Sequence, residues 1–151
     1  MTFKKTIVGG TFDNFHRGHE AILRTAFDIS DFVTLGISSD DFAKKFRTEQ
    51  TESYDVRSKS VKSFCKGLGK RFEIREINDF YGPSTIDGDF DCIVVSEETA
   101  LRAKEINAVR FKKGLREMVM VVVPFALARD GKPISSYRIR GGEIDERGEP
   151  S

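Results

Sequence analysis

Five short apolar runs punctuate the chain: Phe3–Val8, Phe32–Ile37, Phe72–Ile77, Cys92–Val95 and Met118–Val123. They read as strands. Between them the apolar positions switch to helical spacing. Arg17–Asp28 places Ile22, Leu23, Ala26 and Phe27 on one face. Tyr54–Leu68 does the same with Val61, Phe64, Cys65 and Leu68, and a third helical pattern runs from about Glu97 to Lys112. Strands that alternate with helices and are apolar almost throughout predict an α/β fold, a doubly wound parallel sheet covered on both faces. Right-handed crossovers then place a binding site beyond the C-terminal ends of the strands. Lys44–Ser53 is polar and aperiodic, and a mobile loop is expected there. Asp79–Ser84 is a turn-rich connection. A single domain is expected over residues 1–145, with a flexible tail at 146–151.

The first apolar run ends in Val8-Gly9-Gly10-Thr11-Phe12-Asp13-Asn14-Phe15-His16-Arg17-Gly18-His19. A strand, a glycine-bearing turn and a helix start follow one another. That arrangement suits close approach of a phosphate chain. Gly9 and Gly10 let backbone pass near a nucleotide, and Gly18 permits tight contact in the first helical turn. His19 stands near the helix N-terminus, where the dipole favours an anion. Imidazole donors there can stabilise charge on phosphoryl oxygens. A single histidine would read as a cap or a core residue; the pair with its glycines points to a site.

A second phosphate signal lies at Ile134-Ser135-Ser136-Tyr137-Arg138-Ile139-Arg140. Ser135 is a good N-cap, and Ile134 can staple onto Ile139. The helix start presents N–H groups, two hydroxyls and two guanidinium groups, which together make a triphosphate cradle. An ordinary capped surface helix is the alternative. Ser136 and Arg140 are four positions apart and share a face. Arg138 lies about 200° around the axis from Arg140. It is expected to point elsewhere, to a carboxylate such as Asp145.

Charge adds one constraint. Lys plus Arg number 25 and Asp plus Glu 24, so nothing favours a polyanion such as nucleic acid, and local basic groups must bind any phosphate. Cys65 and Cys92 have neither Cys-x-x-Cys nor zinc-type spacing and are expected as buried free thiols. Without a signal peptide or long apolar span, the expected location is cytoplasmic, with no membrane partner.

Taken together, these stretches resemble the phosphopantetheine adenylyltransferases of the archaeal type, within the His-x-Gly-His nucleotidyltransferase superfamily. Gly9–Asp13 with His16–His19 matches the first family motif, and Val95-Ser96-Glu97-Glu98-Thr99 the central one. Ile134–Arg140 followed by Gly142-Glu143-Ile144-Asp145 matches the last, and Asp79 with Tyr81-Gly82-Pro83 also fits. The resemblance implies a Rossmann-like nucleotidyltransferase domain. It implies transfer of the adenylyl group of ATP to 4′-phosphopantetheine, giving dephospho-coenzyme A and pyrophosphate with Mg2+. His16 and His19 would contact the ATP phosphates, beside Gly9, Gly10, Thr11, Phe12 and Gly18. Thr11 would also position the attacking phosphate, and Ser135, Ser136 and Arg140 would hold the β- and γ-phosphates. Tyr81 and Gly82 would meet the acceptor. Tyr137 departs from the family pattern, which has a small hydroxyl residue there.

Other residues are expected nearby. Lys44 and Lys45 fall where the family places a phosphate-binding lysine, and the sequence does not choose between them. Arg57 either faces the pantetheine end or makes a surface ion pair. Glu97 and Glu98 are either an acidic metal pair or a counterweight to a helix dipole. No protein cage for a metal is evident, which suits magnesium held by substrate phosphates and water. Two other classes stay open: a related transferase using CTP or another phosphate acceptor, and a non-catalytic nucleotide sensor on the same fold.

Overall fold

Five parallel strands form one sheet in the order β3-β2-β1-β4-β5. They are β1 (Thr6–Gly10), β2 (Phe32–Ser38), β3 (Arg71–Ile77), β4 (Cys92–Ser96) and β5 (Val119–Val123). The computed structural model describes residues 2–46 and 50–151, and of Phe46 the backbone alone. Helices α1 (Arg17–Ile29), α2 (Asp40–Phe46), α3 (Tyr54–Gly67), α4 (Ala100–Lys112) and α5 (Ser136–Arg140) complete the chain, with a 3-10 turn at Gly82–Thr85. The strands wind outward from β1 in both directions. The order therefore reverses between β1 and β4, and the crevice at their C-terminal ends is where such sheets bind ligands.

Alternate residues of each strand serve opposite faces. Val8, Leu35, Cys92, Val94 and Val123 join Leu23 and Phe27 of α1 and Val61 and Cys65 of α3 in one core. Ile7, Ile93 and Val95 face the other way, onto Ala103 and Ile106 of α4. Both cysteines are buried free thiols, as expected. No helix among the described residues is long and apolar enough to cross a membrane.

Several boundaries differ from the pattern reading, each for a physical reason. β1 starts at Thr6, with Phe3 only bridging to Ser30, and it runs on through both glycines. Gly9 and Gly10 pair in register with Gly36 and Ile37, so they end the strand rather than make the turn. Phe12 and Asn14 make the turn, at φ 56° and 47°. That left-handed backbone is uncommon for residues with a Cβ. The start of the expected mobile loop at Lys44 is helical, since α2 runs from Asp40 to Phe46. Ser39 caps it by accepting from the Phe42 N–H. Residues 47–49 of that expected loop lie outside the described residues. α4 begins at Ala100, after a Ser96–Thr99 turn, not at Glu97.

The last six residues, expected as a flexible tail, are tied back by backbone hydrogen bonds. Arg17 N–H donates to the Glu146 carbonyl at 2.9 Å, and Arg129 N–H to the Gly148 carbonyl at 3.0 Å. Ile144 and Pro150 form an antiparallel bridge.

Candidate active site

The two histidines build their own helix cap. His16 is the N-cap of α1, and its Nδ1 accepts from the Gly18 N–H at 3.0 Å. His19 Nδ1 accepts from the His16 N–H at 3.2 Å. This is a capping box in which imidazoles replace the usual hydroxyl and carboxylate. It also sets the tautomers. A neutral imidazole that accepts at Nδ1 carries its proton at Nε2. Both rings therefore present Nε2–H donors, stacked with centroids 3.7 Å apart. Phe15 also stacks on His19, with ring centroids 5.5 Å apart. Burial holds the His16 pKa down at about 4, only partly offset by the nearby Asp13 carboxylate, so His16 is a neutral donor at physiological pH. Gly18 is required sterically: a Cβ there would lie 2.9 Å from the His16 ring.

A cleft of about 590 Å³ opens beside this box, over the C-terminal ends of the strands. Gly9, Gly10, Thr11, Phe12 and His19 line one part of it, with Gly36 and Ser38 of β2. Gly9 leaves its floor bare, because a Cβ there would meet nothing nearer than the Gly36 carbonyl at 3.9 Å. The opposite wall comes from Tyr81, Gly82, Pro83 and Ser84 and from Arg102, Ala103 and Ile106 of α4. Asp79 shapes the first of these walls by accepting from the Tyr81 and Gly82 N–H groups. Gly82 adopts φ 50°, and a Cβ there would strike Ile77 at 2.8 Å. Thus Tyr81 and Gly82 stand in the cleft, together with Gly9, Gly10, Thr11, Phe12 and His19.

The α5 motif is bound directly to the histidine loop. Ser135 caps α5 by accepting from the Arg138 N–H. Ile134 and Ile139 pack in one small cluster with Ala128 and Ile144, which is the expected staple. Ser136 Oγ donates to the Asp13 carbonyl, and Arg140 Nη1 pairs with the Asp13 carboxylate. Arg138 points the other way, as its position around the helix requires. Its partners are Asp130 and Glu143, however, and not Asp145. Asp145 instead accepts from the Arg147 and Glu149 N–H groups. The Tyr137 side chain is exposed at 72% and turned to solvent.

Five other expected residues are placed as follows. Arg57 pairs with the half-exposed Asp40 carboxylate, but it is itself 0% exposed and does not line the cleft. Its guanidinium donates to the carbonyls of Thr11 and Ser38 at 2.9 Å each, to the Glu52 carbonyl at 2.8 Å and to Asp40 at 3.0 Å. It clamps the ends of β1 and β2 from behind. Lys44 and Lys45 are exposed in the last turn of α2 and do not line the cleft, although Phe42 of that helix does. Glu97 and Glu98 are not a pair: Glu97 accepts from the Phe125 N–H at 3.0 Å, while Glu98 lines the cleft. Among the described residues no cluster of three or more His, Cys, Asp or Glu could hold a metal ion.

Sequence reasoning missed Phe42, Phe80 and Arg102. Phe80 meets Phe42 edge-on at 4.9 Å, and the Arg102 guanidinium lies 3.8 Å over the Phe80 ring. These contacts join α2, the loop after β3 and α4 at the cleft. The only hint in the sequence was their place just after strand ends, which the topology turns into proximity.

With this geometry in hand, comparison with known proteins is informative. The cytidylyltransferase-like family matches residues 7–142. A phosphopantetheine adenylyltransferase of Methanopyrus kandleri is 42% identical over 146 residues, 95% of this chain and 92% of that protein. One of Methanothermobacter thermautotrophicus is 42% identical over 141 residues, 93% of this chain and 85% of the other. A crystal structure of an Archaeoglobus fulgidus protein of unknown function superposes with a TM-score of 0.72 at 28% identity, covering 97% of this chain and 99% of that one. With identity at this level across nearly its whole length, and the histidine box and α5 motif in place, this chain belongs to the phosphopantetheine adenylyltransferase family.

Proposed function

We propose that the protein transfers the adenylyl group of ATP to 4′-phosphopantetheine, giving dephospho-coenzyme A and pyrophosphate, in the cytoplasm. The observation that carries this reading is the histidine box bound to α5 through Asp13, at the crevice where the strand order reverses. The histidine donors and an arginine held by the same loop are the kind of groups that a transferring phosphoryl group needs, which supports the reading.

The acceptor is a phosphate monoester, mostly dianionic at neutral pH because its second pKa is about 6. It needs no general base. One of its oxygens attacks the α-phosphorus of ATP in line. The bond from that phosphorus to the β-bridging oxygen breaks, and pyrophosphate leaves with the electron pair. The Nε2–H of His19, on the cleft wall, donates to the oxygens on which charge grows, and His16 supports it as a neutral second donor. Thr11, also on that wall, positions the attacking phosphate, while Arg140 and the start of α5 hold the β- and γ-phosphates. Of the two lysines, Lys45 is three positions from Phe42 and so lies on the cleft side of α2. It is the better placed to reach the acceptor phosphate from the rim.

The donor set suits magnesium carried in on the nucleotide rather than caged by protein. Among the described residues, Asp13 is committed to Arg140, Glu97 to Phe125 and Glu105 to Arg102, which leaves Glu98 on the cleft wall. When bound, magnesium would neutralise charge on the departing pyrophosphate.

Pyrophosphate release tests this reading. ATP with 4′-phosphopantetheine and magnesium should support turnover. Turnover only with CTP, or only with a nicotinamide or flavin nucleotide as acceptor, would assign the site to a different transferase.

A further inference from the structure

We propose that Asp13 is a positioning residue that sets Arg140 against the histidine motif and so assembles the phosphate side of the site. The inference rests on the reading that Arg140 meets nucleotide phosphate. Asp13 itself does not line the cleft.

Asp13 is buried at 1% exposure and joins three segments. One carboxylate oxygen accepts from Arg140 Nη1 of α5, and the other accepts from the Glu52 N–H at 2.8 Å. Its carbonyl accepts from Ser136 Oγ. The neighbouring residue closes the ring: Asn14 N–H donates to Glu52 Oε1 at 2.9 Å, and Asn14 Oδ1 accepts from Arg140 at 3.3 Å. The left-handed backbone at Phe12 and Asn14, on either side, turns this carboxylate inward. Residues other than glycine hold that conformation only where surrounding contacts enforce it.

Two physical arguments make this arrangement more than a surface ion pair. A carboxylate taken out of water needs a cation, and removing either partner leaves the other uncompensated. A helix of five residues such as α5 has little stability of its own, so its direction is set by what it binds. The arginine side chain keeps 28% exposure while the aspartate side chain has none. The planar guanidinium is thus anchored by the buried carboxylate and held in one orientation. Such pre-ordering is what an arginine contact to phosphate requires.

The test is equilibrium ATP binding by calorimetry, with steady-state kinetics alongside. Asp13→Asn keeps an acceptor for Glu52 and removes the charge that holds Arg140. It should weaken ATP binding about 10- to 100-fold, the scale of a charged hydrogen bond. The KM for the acceptor should not move. In an Arg140→Ala background the same substitution should add little, because both changes remove one function. Should Asp13→Asn not fold, Asp13→Glu keeps the charge on a longer arm and should show the same loss confined to ATP. Unchanged ATP affinity with a lower melting temperature would overturn the proposal and make Asp13 purely structural. Losses that multiply in the double variant would overturn it as well. If the wild-type protein bound no ATP, the functional reading itself would fail, a result distinct from these.

Discussion

Acid should destabilise this protein partly through one residue, His16. Its pKa is about 4 in the folded state against an ordinary 6.5, because burial disfavours the imidazolium. Above pH 6.5 the ring is neutral in both states and has no effect on the balance. As pH falls below 6.5 the unfolded chain takes up a proton that the folded chain refuses. Stability is then lost at about 1.4 kcal/mol per pH unit until the folded ring itself titrates near pH 4. The whole window amounts to about 3 kcal/mol, of which about 2.5 kcal/mol is gone by pH 4.5. The perturbation is His16→Asn, which retains a capping oxygen for the Gly18 N–H. Urea denaturation of both proteins from pH 7.5 to 4.5 gives the difference in unfolding free energy. Groups distant from the substitution contribute alike to both proteins and largely cancel. The wild-type advantage should shrink by about 2.5 kcal/mol over that range. A difference that stays flat, or grows as pH falls, would refute the neutral buried imidazole and the Nε2–H donor assigned to it.

The other substitutions follow from equally local geometry. Gly18→Ala should lower kcat on the order of 10-fold, because a Cβ 2.9 Å from His16 must push that ring and the His19 ring stacked on it; normal kcat would show that the box tolerates displacement. Gly148→Ala should lower the melting temperature by several degrees, since φ is 86° there and the Cβ would meet the Ala128 backbone at 2.8 Å; an unshifted melting curve would show that the C-terminal turn is not held as described. Arg140→Ala should reduce kcat/KM for ATP, while Arg138→Ala should act mainly on stability through its clasp on Asp130 and Glu143. A larger kinetic loss from Arg138→Ala would reverse that assignment.

Much of the sheet was legible because β1, β2, β4 and their helices obey simple periodicities. The α5 cap and the Ser136–Arg140 face were legible for the same reason: a five-residue helix follows its N-cap and its 3.6-residue period. The histidine motif could be located but not its geometry, since imidazoles rarely replace the hydroxyl and carboxylate of a capping box. The ion pair of Arg57 was legible but its burial was not, because an arginine early in a helix usually reaches solvent. Only the tertiary fold brings the carbonyls of Thr11, Ser38 and Glu52 around it. Asp13 shows the same limit. Its partners lie 39 and 127 positions away, and no local pattern encodes such a pairing. α2 was detectable from Ser39, its acidic first turn and its basic last turn, but seven residues leave little room for a periodic signal.

Direct adenylyl transfer to 4′-phosphopantetheine is tested most sharply with an acceptor carrying 18O in its phosphate, followed by mass spectrometry of both products. Attack by the acceptor oxygen on the α-phosphorus predicts dephospho-coenzyme A that keeps every labelled oxygen, including the new bridge, and pyrophosphate that carries none. Label in pyrophosphate, or folded protein that forms no dephospho-coenzyme A from ATP and magnesium, would contradict the account.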